Sequence, residues 1–222
     1  GQEVDPMKRA LLGGVVAGLA LAIAASAQAQ GQEGATAADD PAAVSAVWIE
    51  RDVTLHYMGF TSYYSCEGLR GQVRRILQEL GARPGFKVTA RNCIKQSGPE
   101  WTPSVRIVAA LPVEATPEVL AELASDASKR ELVARVQGKS PDDAAAQFPA
   151  RPRRVEFVSG GMSFLQDGDC ELMEQMRDRV FGPLGVKVIE SSIRCVPRQV
   201  SIGSIRMTVE VLEPVPTPSP VP

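Results

Sequence analysis

One stretch of this chain is written twice, cysteines included. From Cys66 the order is Cys66-Glu67, Arg75, Leu80-Gly81, Phe86-Lys87-Val88, Cys93, then Ser104-Val105-Arg106-Ile107. From Cys170 it is Cys170-Glu171, Arg179, Leu184-Gly185, Val186-Lys187-Val188, Cys195, then Ser204-Ile205-Arg206-Met207. Four cysteines allow three connectivities. A unit copied together with its bridge selects one of them, Cys66–Cys93 with Cys170–Cys195. In the chain-entropy model a bridge closing a loop of this size contributes roughly 3 kcal/mol. No C-x-x-C spacing occurs, so structural bridges are expected rather than redox-active thiols.

Bridges need an oxidising compartment, and the N-terminal sequence offers a route to one. Met7-Lys8-Arg9 is a basic start, Ala10 to Ala25 is an unbroken run of apolar and small residues, and Ala27-Gln28-Ala29 is an A-x-A site. Residues 1–29 are therefore expected to be an N-terminal extension and a secretory signal peptide, cleaved near Ala29. The mature chain is expected in a periplasm or outside the cell, touching membrane only if the leader stays uncleaved. The formal net charge of −2 gives no electrostatic case for nucleic acid or an anionic membrane.

Hydrophobic periodicity sets the elements. Residues 30–43 lack a period and read as a flexible leader. Val44 to Ile49 and Val53 to Met58 are β-prone, and Gly59 with the Ser/Thr-rich stretch after it closes that element. Ser65 stands where a helix N-cap should, and Cys66, Leu69, Val73, Ile76, Leu77 and Leu80 make one apolar stripe that ends at Gly81. Asp169 is expected to cap the second helix as Ser65 caps the first, with Met173, Met176 and Val180 as its stripe and Gly182-Pro183 as its end. Strands are expected at Phe86 to Ala90, Val105 to Leu111, Val155 to Val158, Val186 to Ile193 and Ile205 to Leu212.

Between the copies, Thr116-Pro117-Glu118 starts a helix. Because Leu132, Val133 and Val136 point away from Val119, Leu120, Leu123 and Ala127, the expectation is two short helices, 117–126 and 129–137. Ser128 to Glu131 reads as the capping box of the second, Gly138 as its end, and Ser140-Pro141-Asp142-Asp143 as the start of a third short turn. Arg151-Pro152-Arg153-Arg154 reads as a solvated connector, and the proline-alternating segment 214–222 as a spacer unable to pair in a sheet.

The expected fold is α+β: two tandem β-α-β-β repeats, residues 44–113 and 151–213, forming a mostly antiparallel sheet with helices on one face. A helical connector, 114–150, joins them. With roughly 170 residues between leader and tail the chain can bury its own core.

Chemistry is sparse. His56 is the only histidine, which leaves no second histidine for a multi-histidine metal site, and its place beside Tyr57 reads as a strand-edge residue rather than a general base. Asp167, Asp169 and Glu171 lack the length and distal acid of a calcium loop. Their reading is helix-start electrostatics; the alternative is a small-ligand-binding protein or enzyme with these acids, joined by His56, in a cleft between the repeats. Met173 and Met176 read as packing, and Trp48 and Trp101 as core or rim. Neither cofactor nor metal is expected. All the tyrosines lie in one connection, His56 to Tyr64, whose counterpart Gly160 to Gln166 has none. Tyr57, Phe60, Tyr63 and Tyr64 are therefore the candidate contact surface for a protein or other envelope component, against the plainer alternative that the rings cover the end of the sheet. The expected class is a non-catalytic binding protein.

Overall fold

The computed structural model describes residues 42–60, 62–93, 102–136, 146–199 and 203–216. The expectations for the leader, Gly138, Ser140 to Asp143, Trp101 and the last six residues lie outside this set.

Six antiparallel strands form one sheet in the order β2-β3-β1-β4-β6-β5. They are β1 (Val44–His56), β2 (Lys87–Arg91), β3 (Ser104–Glu114), β4 (Phe148–Val158), β5 (Lys187–Arg194) and β6 (Ser204–Pro214). The fold is therefore α+β. Helix α1 (Cys66–Glu79) follows β1, α2 (Pro117–Ser125) and α3 (Ala127–Val136) follow β3, and α4 (Cys170–Met176) follows β4.

Residue chemistry accounts for the boundaries. The Ser65 side chain accepts from the Gly68 amide at 3.0 Å, and Gly81 leaves α1 at φ +77°, a conformation that favours glycine. Thr116 Oγ1 accepts from Val119 N at the start of α2. The inward set of the sheet (Leu55, Val105, Ile107, Val155, Phe157, Ile205, Met207, Val209), with Tyr57 just past the end of β1, packs with Leu69, Val73, Ile76, Met173, Met176 and Val180 in one core. Val47 and Ile49, of the same parity on β1 as Leu55, pack with Leu123 of α2, so α1 and α2 cover the same face of that strand. The other face is wet, crossed by the exposed Arg106–Asp52 ion pair.

β1 runs unbroken through its charged middle, which alternates faces, Asp52 meeting Arg106 on the wet side while Arg51 reaches Glu122 of α2. Several expectations need correction. Arg151 to Arg154 is no connector but part of β4, paired with Glu213 to Glu210 of β6. Pro152 is tolerated there for a geometric reason. Val215 N donates to Pro149 O, so odd residues of β4 bond towards β6 and Pro152 turns its missing N–H towards a side that β1 does not reach. β1 pairs with β4 only through Val44 to Ala46 against Phe148 to Ala150. The Arg153 guanidinium, on the inward side, donates to Glu79 O at 2.8 Å and so closes the C-terminal turn of α1. The helix α3 begins at Ala127, leaving Ser128 inside it rather than capping it. The last strand runs through Pro214, and Val215 still bonds to β4, so the proline-alternating segment starts inside the sheet. Finally, α4 gives way after Met176 to a π-helical turn, Arg177–Phe181, which widens the spiral yet keeps Val180 and Phe181 buried.

Both bridges are formed, Cys66–Cys93 and Cys170–Cys195, across sequence separations of 27 and 25. Each fastens the first residue of a helix to the chain following a strand.

Candidate functional site

The connections after β1 and after β4 meet at one place in the fold, and carboxylates join them. Asp169 is buried and its side chain does not cap α4. It accepts from the Tyr64 hydroxyl, from Gln72 Nε2 at 2.8 Å and from Gln166 N at 2.8 Å. A buried carboxylate needs such donors to remain charged, and two of the three come from the first half of the chain. Glu171, also buried, accepts from Phe60 N at 2.9 Å. Gln175 grips Met58 twice, its Oε1 accepting from the amide at 3.1 Å and its Nε2 donating to the carbonyl at 2.8 Å. Ser62 Oγ donates to Gly168 O at 2.5 Å, and Ser62 O accepts from the Tyr57 hydroxyl at 2.8 Å. Asp167 accepts from Ser159 Oγ at 2.7 Å.

The four aromatic candidates therefore divide into two pairs. Tyr57 is fully buried and Tyr64 largely so, packed edge to face at 5.0 Å. Burial, followed by the negative charges of Glu171 and Asp169, pushes the Tyr57 phenol up to about 12. Burial and the Asp169 charge raise Tyr64 further. Phe60 and Tyr63 point outward, 64% and 48% exposed, with Met58 also at 48%. In the connection after β4, Met162 is fully exposed, a residue the sequence reading did not select. Its signal was available: it lies between Gly160-Gly161 and Ser163, where no apolar period runs. A Cβ at Gly59 would collide with the carbonyl oxygen of Ser62.

His56 is exposed at the end of β1, and its carbonyl accepts from Arg179 at 3.0 Å. It does not join the carboxylates' hydrogen bonds. Among the described residues no group of three or more His, Cys, Asp or Glu is placed to hold a metal ion, and no helix is long and apolar enough to cross a membrane. Trp48 is half-buried on the wet face, 5.3 Å from the Phe148 ring, with the Arg83 guanidinium 5.7 Å from its own ring.

The arrangement is a mechanical one. Acceptors on the second half hold the amides of Met58 and Phe60 and the hydroxyl of Ser62, while the Met58 and Phe60 side chains project into solvent. Comparison with protein-family models, curated proteins and solved structures finds no match for this chain.

Proposed function

We propose that this is an exported, disulfide-stabilised protein that binds another protein of the cell envelope or extracellular space through Met58, Phe60, Tyr63 and Met162. The observation that carries the reading is the contrast within residues 58–62. Gln175 and Glu171 hold the backbone of Met58 and Phe60, the Tyr57 hydroxyl holds the carbonyl of Ser62 and the Gly168 carbonyl its hydroxyl, yet the Met58 and Phe60 side chains are spent on solvent. Large apolar side chains on a pre-ordered backbone lose little entropy on binding, which is what a recognition anchor needs. Tyr57 and Tyr64 serve as the floor beneath this surface rather than as contacts.

Export is supported by the leader's composition and by two bridges that persist only in an oxidising compartment. A duplicated β-α-β-β ancestry is supported by the matched cysteine pairs. It is supported too by strand order, since β2-β3-β1 from one edge and β5-β6-β4 from the other repeat one pattern. The alternative of an acidic site has less in its favour, because Asp167, Asp169 and Glu171 each accept hydrogen bonds from protein groups.

The test is a double substitution, Phe60→Ala with Tyr63→Ala, in pull-downs from envelope extract. The partner captured by the unmodified chain is expected to be lost while the fold is retained. Undiminished capture by the folded variant would place the site elsewhere.

A further inference from the structure

The sheet ends at β5, and among the described residues no strand lies beyond it. Every residue of β5 except Ile193 is exposed, Val188 and Ile189 included, at 36% and 42%. The opposite edge strand, β2, still buries Val88. An open edge of this kind is a template for a further strand.

The direction of its backbone groups follows from β6. Ile205 N donates to Ser159 Oγ, Ile205 O accepts from Ser159 N, and Val215 N donates to Pro149 O. Odd residues of β6 therefore bond towards β4 and even ones towards β5. Glu190, Ser192 and Arg194 stand opposite Thr208, Arg206 and Ser204, so their backbone groups are spent on β6. Ser191 and Ile193 turn theirs outward. A register shift between Val188 and Glu190 ends this alternation, which leaves residues 190–194 as the part of the edge able to pair.

An incoming antiparallel strand must meet outward residues with outward residues. For a second copy related by a twofold axis, few registers satisfy that rule. Centred on Glu190, the pairing sets two carboxylates face to face. Centred on Ser191 or Ile193, it leaves Arg194 opposite Val188 or Ser192. Centred on Ser192, it sets Ser191 opposite Ile193 of the second copy, in pairs that exchange both N–H···O bonds. It also sets Glu190 opposite Arg194 in both directions, at the non-hydrogen-bonded positions where side chains stand closest. Among the described residues neither Glu190 nor Arg194 has an ion-pair partner in its own chain.

We propose that β5 is a homodimer edge: a second copy of this chain pairs antiparallel along residues 190–194, centred on Ser192. The occupant is a second copy because the acid and the base of this segment exchange places on reversal, which makes the edge complementary to itself. β5 contributes no residue to the surface of Met58, Phe60, Tyr63 and Met162, so the two assignments stand or fall separately.

The experiment is sedimentation of the oxidised chain at on the order of 0.1 mM, a range that suits a small interface. The unmodified chain is expected to sediment as a dimer. Glu190→Arg alone, or Arg194→Glu alone, sets like charges opposite each other at two symmetric positions and is expected to weaken association at least about tenfold. The double variant, Glu190→Arg with Arg194→Glu, restores the opposite charges and is expected to recover the dimer. Ser191→Pro removes an N–H that points away from β6 and is expected to give a folded monomer. A chain that stays monomeric at this concentration would overturn the proposal. So would a dimer that both single charge reversals leave unchanged.

Discussion

Gly59 and Asp169 carry the sharpest consequences for single side chains. A methyl group on Gly59 meets the Ser62 carbonyl and the fully buried Tyr57 ring, so Gly59→Ala is expected to cost about 1–3 kcal/mol in chemical denaturation and to loosen the Phe60 segment. Asp169→Ala would strand the Tyr64 hydroxyl, Gln72 and the Gln166 amide. The expected loss is about 3 kcal/mol, with Tyr64→Phe partly non-additive to it in a double-mutant cycle. The tyrosines also set a limit on alkaline stability. Tyr57 holds its proton up to about 12 in the fold, whereas the unfolded chain releases it near 10. The folded state binds more protons across that window, so stability is full below about pH 10 and falls as pH rises towards 12. Tyr64, raised in the same direction, deepens the fall. Unfolding midpoints that stay constant over this range would contradict the burial of both rings. The inward turn of Tyr57 was legible: it shares parity with Leu55 and continues the core stripe of β1. Tyr64 was legible too, standing just before the cap Ser65, where an apolar residue folds back on the fourth helical position, here Leu69. Asp169 was not, because two of its three partners, Tyr64 and Gln72, lie about a hundred residues away and no local pattern announces them.

Helices and bridges were easier to read than strands. Cap, stripe and terminal glycine of α1 are all local signals, and they placed the helix within a residue of its ends. β4 was missed over half its length because two prolines and three arginines hide the alternation. Its pairing depends instead on β6 supplying partners on one side only. The bridge Cys66–Cys93 ties the start of α1 to the end of β2, next to the clamped connection. Replacing both cysteines by serine is expected to cost roughly 3 kcal/mol, read as a lower denaturation midpoint. The Cys170–Cys195 pair is expected to behave alike, because its loop is nearly the same length. A midpoint unchanged by either replacement would remove the bridges from the account of stability.

For the molecule as a whole, the two groups of three strands share a ladder of only three residues each. The shared core and the carboxylate bonds must hold them together elsewhere. That division accounts for Met58 and Phe60, exposed side chains on a backbone bonded to Gln175 and Glu171 across the second of these joints. Phe60→Ala with Tyr63→Ala is accordingly expected to change stability by no more than about 0.5 kcal/mol, so loss of binding would not reflect unfolding. The most direct measurement is site-specific photo-cross-linking in intact envelopes, with the reactive group placed at position 60, at 63, and at Thr208 on the wet face as reference. The account predicts one discrete adduct, shared by positions 60 and 63 and missing at 208. An adduct at 208 with none at 60 or 63 would contradict it.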